Sequence, residues 1–292
     1  MFEEFMDAEM HAVKASPEVK LTEENYYSTE ANNAYMSVSQ FKNFAGCGHA
    51  IEGCEFTALA KLRGEYKEEP NTAMMIGSYV DRHFEGTLDS FKLEHPEIFK
   101  KDGSLKAEYE KANAMIARAE RDDLFMKYMS GDKQVIMTGE LFGAKWKIKM
   151  DSYIDGKAIV DLKCMGSITK LEWVRGLGYT PFPLYWGYDI QGAIYQEVVR
   201  QNTGKTLPFY IAGISKEACP DIGLIWIPDS YLQDALRNVE AKMPRILDLI
   251  NGRATPERCE KCDYCRTTKV LTEPSSIADM FVQSEIILTG ED

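Results

Sequence analysis

The feature that most constrains this chain is the run "KQVIMTGELFGAKWKIKMDSYIDGKAIVDLK", from Lys133 to Lys163, where apolar side chains recur at every second position. A period of two is the period of a strand, whose side chains alternate between faces. The run predicts three antiparallel strands, about 134–141, 144–153 and 157–163, joined by "FG" and "IDG" turns. In the second strand Lys145, Lys147, Lys149 and Asp151 share one face, and Trp146, Ile148 and Met150 share the other. In the third, Asp161 and Lys163 share a face with Ile159, while Val160 and Leu162 point the other way. Pairing through "YIDG" brings Asp151 towards Asp161. Two converging carboxylates repel, and each raises the pKa of the other. A divalent cation such as Mg²⁺ removes the conflict, because it prefers carboxylate oxygens. Lys163 lies two residues further along the face, where it can orient a water and neutralise developing charge. The peptide carbonyl of Leu162 is a further candidate ligand. From D-x-K alone, a surface ion pair on an edge strand is the commoner outcome.

Either side of this run the period changes. Residues 1–35 are polar and aperiodic and read as an extended arm. Ser37 followed by Gln40 has the form of a capping box, so a helix is expected from there towards Tyr66, broken at Pro70. Further helices fit "TAMMIGSYVDRHFEGTL" and "SLKAEYEKANAMIARAERDDLFMKYM", with "HPEIF" as a loop between them. After the strands, a helix fits "WGYDIQGAIYQEVVRQNTG" and ends at Gly204. "PFYIAGIS" and "DIGLIWI" read as two more strands. A last long helix follows, with Pro228 near its start and Gly252 past its end. This order predicts one α/β domain over 36–268, helices flanking a central mixed sheet, then a tail over 269–292.

Two classes are disfavoured by composition. No apolar run approaches the length of a membrane span, and the N-terminus lacks a basic segment followed by an apolar one. The expectation is a cytoplasmic protein with no membrane contact. The net charge of −12 argues against a nonspecific nucleic-acid binder. Any nucleic-acid contact must use local basic residues. Candidates are Lys145, Lys147, Lys149, Lys170 and Arg175, with the aromatic stretch "YTPFPLYWGYDIQ", including Trp186 and Tyr188, as a base-stacking surface.

"KMDSYIDGKAIVDLKC" resembles motifs II and III of the PD-(D/E)XK nuclease superfamily, with Asp151, Asp161 and Lys163 at the motif positions. The RecB-type branch adds Q-x-x-x-Y, supplied by Gln191 and Tyr195, which share one helix face. It also adds G-x-x-x-H, for which "GSYVD" offers Gly77 and then Asp81 in place of the histidine. Asp81 is retained as a candidate metal ligand, and Glu85, one turn later, can share that role. His83 is expected to face elsewhere. The match is similar to phage RecE-like exonucleases of the exodeoxyribonuclease VIII type and extends over most of the chain. The resemblance implies a restriction-endonuclease-like core and Mg²⁺-dependent (or Mn²⁺-dependent) hydrolysis of DNA at duplex ends. It also implies a single-strand annealing recombination protein as partner, and a homo-oligomer. Two other readings stay open: a single-strand nuclease of the CRISPR-adaptation or helicase-associated kind, and a non-catalytic binding module stapled by zinc.

Seven cysteines in a chain with no secretion signal do not look like a disulfide framework. Cys259, Cys262 and Cys265 form C-x₂-C-x₂-C, which reads as metal ligation. Relatives in the RecB branch hold an iron–sulfur cluster with three C-terminal cysteines and one on an N-terminal helix. By that resemblance the fourth ligand is Cys54, with Cys47 as the alternative, and the site holds a [4Fe–4S] cluster or structural Zn²⁺. Cys47 and Cys54, seven apart, are expected near one face of one helix. Cys164 and Cys219 read as small hydrophobic residues.

Overall fold

The computed structural model describes residues 19–47, 52–174, 176–274 and 276–277. In chain order the helices before the sheet are α1 (Thr29–Ala34), α2 (Val38–Ala45), α3 (Glu55–Arg63), α4 (Thr72–Glu85), α5 (Leu88–Glu94), α6 (Ala107–Glu120) and α7 (Asp123–Tyr128). Then come β1 (Val135–Leu141), β2 (Ala144–Met150), β3 (Ser152–Ile154), β4 (Ala158–Met165), β5 (Leu171–Val174) and β6 (Gly178–Pro181). The chain continues through α8 (Phe182–Tyr185), α9 (Tyr188–Thr203), β7 (Phe209–Ser215), β8 (Ile222–Ile227), α10 (Asp229–Ile250) and α11 (Asp263–Thr267).

The central sheet runs β3-β4-β7-β8 and is mixed: β4 pairs parallel with β7, and the two outer pairings are antiparallel. The α9 crossover makes the parallel pairing feasible. Alternation along β4 divides the core as the sequence predicts. Ile159 joins an apolar cluster with α2, α9, α10 and the β1–β2 hairpin, whereas Val160 and Leu162 join one with α4 to α7. The architecture is therefore α/β, with helices on both faces of a mixed sheet.

Several expectations about elements need correction. Ser37 and Gln40 do form a capping box, but α2 ends at Ala45 rather than running on towards Tyr66. Gly46 adopts a φ of 78°, and a Cβ at Gly53 would lie 2.2 Å from the carbonyl oxygen of Phe44. The chain thus doubles back tightly before α3, in a packing that a side chain would block. Cys47 and Cys54 do not share a helix. The helix expected over 104–129 is two, since Asp122 accepts from the Phe125 N–H and starts α7 afresh. "HPEIF" contains a 3-10 turn, Pro96–Ile98. The β5–β6 hairpin, unforeseen, lies in the segment after the D-x-K strand. The described part of the N-terminal segment is not an extended arm: it holds α1, and its Tyr26 is buried. No described helix is long and apolar enough to cross a membrane.

Candidate active site

The site is built where β3 returns into β4. Ser152 stands opposite Val160, so the preceding Asp151 arrives beside Asp161 and Leu162. Asp151 Oδ2 accepts a hydrogen bond of 2.8 Å from the Leu162 backbone N–H, and its Oδ1 accepts one of 3.4 Å from Gln134 Nε2. The hairpin is thus locked to the D-x-K strand by the carboxylate itself. Lys163 forms an ion pair with Asp161 Oδ2. Gln191 of α9 donates from Nε2 to Asp161 Oδ1 at 2.6 Å. One turn on, the Tyr195 hydroxyl donates to the carbonyl of Lys149 at 3.0 Å. Gly192 permits this approach: a Cβ there would lie 2.6 Å from the Phe209 ring. Asp81 and Glu85 of α4 complete the wall. Asp81, Glu85, Gln134, Asp151, Asp161, Leu162, Lys163, Gln191 and Tyr195 line one cavity of about 470 Å³.

The electrostatics are those of a cation site. Burial and then the Asp151 carboxylate push the Asp81 carboxyl well above its ordinary value. Burial, followed by Asp161, raises Asp151 to about 7. Burial alone would lower Lys163, but Asp161 and Asp151 outweigh it and hold the ammonium charged. Burial, then Asp161, raises the Tyr195 phenol. Asp81 Oδ1 and Gln134 Oε1 are buried without a hydrogen-bond partner. Buried polar oxygens normally find one. An unpartnered carboxylate oxygen in a cavity shared with further carboxylates fits an oxygen-seeking divalent ion such as Mg²⁺.

Gln134 carried no motif signal. It sits just before β1 with a φ of 53°, in the left-handed region that a branchless glycine usually occupies. Lys42 of α2 is a second unforeseen participant. It lines the cavity, donates to the Trp186 carbonyl at 3.0 Å and lies over the Tyr188 ring, which also faces Lys163. Burial lowers Lys42 to about 8, partly opposed by Cys47.

The other basic candidates from the sequence differ in their placement. Lys147 is not a solvated phosphate ligand: it is 1% exposed, donates to the Tyr26 carbonyl and to Asn32 Oδ1, and lies over the Tyr26 ring. Lys149 does reach the cavity, over Tyr26 and Tyr27, whereas Lys145 is exposed away from it. Lys170 is exposed and paired with Glu172. Arg175 lies outside the described residues. His83 faces Glu120.

Of the two N-terminal cysteine candidates, the fold brings Cys54 to the C-terminal run, and Cys47 is not in that group. The sulfurs of Cys54, Cys259, Cys262 and Cys265 all lie within 4.8 Å of one another. Cys54 caps the start of α3 by position, and α11 carries Cys265. Of the remaining cysteines, Cys164 is partly exposed, with burial raising its thiol to about 12, and Cys219 is exposed rather than packed.

A mixed sheet with Asp on one strand and D-x-K on the next, flanked by helices on both faces, is a PDDEXK-like architecture. The chain belongs to the family described as "PDDEXK-like domain of unknown function (DUF3799)", which matches residues 37–268. It is also similar to a solved chain from Eubacterium rectale described as a putative exonuclease. The two are 60% identical with a TM-score of 0.88, over 90% of this chain and 98% of that one. A second solved structure, SSO0001, is 12% identical with a TM-score of 0.30, over 76% of this chain and 96% of that one, too slight to bear on this fold. No curated protein matches the chain.

Proposed function

We propose that this chain is a Mg²⁺-dependent deoxyribonuclease that degrades linear DNA from duplex ends. The observation that carries the reading is the convergence of Asp81, Asp151, Asp161 and Lys163 in one cavity, with a buried Asp81 oxygen lacking a partner. Family membership and the exonuclease description of the 60%-identical neighbour support it. Asp81, Asp151 and Asp161, with the Leu162 carbonyl, would hold the cation. Bound there, Mg²⁺ would polarise the scissile phosphodiester as a Lewis acid and lower the pKa of a water.

The chain's own groups do the rest. Gln191 fixes the Asp161 carboxylate by holding Oδ1, so that its Oδ2 faces Lys163. The Leu162 N–H orients Asp151 in the same way. Lys163, held protonated by two carboxylates, acts as a donor that neutralises charge building on the phosphate oxygens. Tyr195 ties α9 to β2 and keeps Gln191 in register. Lys42 adds a second cation to the cavity, over the same Tyr188 ring as Lys163.

The test uses end-labelled linear duplex, circular duplex and single strands, with Mg²⁺ or EDTA, beside Asp161→Ala. The expected result is Mg²⁺-dependent loss of linear duplex only, reduced about a thousandfold or more in the variant. Cleavage confined to single strands would move the reading to a single-strand nuclease. No cleavage of any substrate would leave a binding module.

A further inference from the structure

The four-cysteine site is too small for the cluster that the family resemblance implies. A four-iron cubane places a metal and bridging sulfides between its thiolates, which spreads the cysteine sulfurs to roughly 6 Å or more. A two-iron cluster spreads the sulfurs on its opposite irons comparably. Here no sulfur is more than 4.8 Å from another. Cys54 Sγ is 3.5 Å from Cys265 Sγ, and Cys259 Sγ is 3.9 Å from Cys265 Sγ. These separations are also too long for disulfides, whose sulfurs lie about 2 Å apart. They match a tetrahedron around one ion, since a metal–sulfur bond of about 2.3 Å sets sulfur–sulfur edges near 3.8 Å.

The surroundings are those of a closed site. The Cys262 N–H points at Cys259 Sγ at 3.3 Å, and the Thr57 hydroxyl lies 3.0 Å from Cys262 Sγ. Such contacts stabilise thiolate charge. Arg258 donates to the Cys265 carbonyl and lies over the Phe56 ring, placing a cation beside a group that would carry net negative charge. Phe56 and Tyr66 both pack on Tyr264, roofing the site with rings. Four protein ligands leave no open position, which is the pattern of a structural site.

We infer that Cys54, Cys259, Cys262 and Cys265 bind a single Zn²⁺ ion in a mononuclear tetrathiolate site and hold no iron–sulfur cluster. Binding displaces the thiol protons to solvent and changes no oxidation state. The site fastens α3 to the C-terminal loop. Ala58, Lys61 and Leu62 of α3 line the cavity that holds Asp161, so one wall of that cavity depends on this ion.

The inference is independent of the nuclease reading, and its test reads metal rather than activity. The full chain, purified without oxygen, is analysed for zinc, iron and acid-labile sulfide, and its visible spectrum is recorded. The expected protein is colourless, with stoichiometric zinc and neither iron nor sulfide. Replacing zinc by Co²⁺ should give the intense visible bands of tetrahedral thiolate coordination. Cys262→Ser should lose the metal, whereas Cys47→Ser should keep it. The wild-type stoichiometry and the Co²⁺ spectrum stand on their own and do not require Cys262→Ser to fold. Iron and sulfide in stoichiometric amounts overturn the inference. So does a reduced, metal-free chain that folds and takes up no Zn²⁺.

Discussion

Four acidic side chains sharing one cavity, Asp81, Glu85, Asp151 and Asp161, is an arrangement a fold adopts at a cost. Asp81 bears it most directly, with a buried oxygen that nothing hydrogen-bonds. In EDTA, Asp81→Asn should therefore melt higher than wild type, by about 2–4 °C, the shift that ~1 kcal/mol gives in a chain of this size. In Mg²⁺ the order should reverse, because a cation that binds only the folded state raises its melting point. Differential scanning calorimetry with and without the cation checks both halves. Asp151, Asp161 and Lys163 were readable because strand alternation is local, and Gln191 and Tyr195 because four residues make one helical turn. Lys147 misled for the same reason. Alternation placed it correctly on the face of Lys149, but a segment more than a hundred residues earlier in the chain covers it. Gln134 and Lys42 were silent because their roles arise from packing between distant elements and not from any spacing.

At the scale of elements, the join between α3 and α10 is held by Glu55. Its carboxylate accepts from Arg245 Nε and Nη2 at 2.9 and 2.8 Å and from the Glu257 N–H at 2.8 Å. The Arg245 hydrogen bonds, against the opposing effect of burial, hold the Glu55 carboxyl below its ordinary value of 4.5. A carboxyl depressed in the folded state contributes stability above its unfolded pKa and loses it as pH falls through the lower folded value. Glu55→Gln should thus cost about 1 kcal/mol at neutral pH, after discounting for the exposed side of Arg245. The difference should vanish in acid, as urea midpoints across the range would show. The β5–β6 hairpin calls for another measurement. Trp173 and Tyr179 are 67% and 71% exposed and pack edge-to-face on each other. Replacing both with serine should leave stability within ~0.5 kcal/mol and weaken single-strand DNA binding about tenfold, by fluorescence anisotropy. The hairpin was missed because Gly176 and Gly178 sit inside a short, weakly alternating segment. The long elements, α9, α10 and β7, were legible because their patterns run for several periods.

For the whole molecule, the proposed function requires a net charge of −12 to coexist with a polyanionic substrate. Among the described residues, apart from the engaged Lys147, only Lys42, Lys61, Lys149 and Lys163 bring positive charge to the cavity. Each phosphate neutralised contributes about 0.9 to the salt slope of binding. The logarithm of DNA affinity should then fall with log salt at a slope no steeper than about −4, measured on Asp161→Ala with Mg²⁺ present. A steeper slope would reveal a basic surface outside the cavity. Overall architecture could be anticipated from the order of periods along the chain, but the pairing of β4 with β7 could not, because nothing local specifies a parallel partner. That pairing has a temporal meaning. Asp161 lies against Ile211, on a strand that follows the whole of α9. Closing so long a loop comes late and slowly in folding. Gln191, which steadies Asp161, sits within that same loop. A growing chain therefore carries Asp161 before the strand that supports it, and the catalytic centre proposed above is complete only when the core beneath it is.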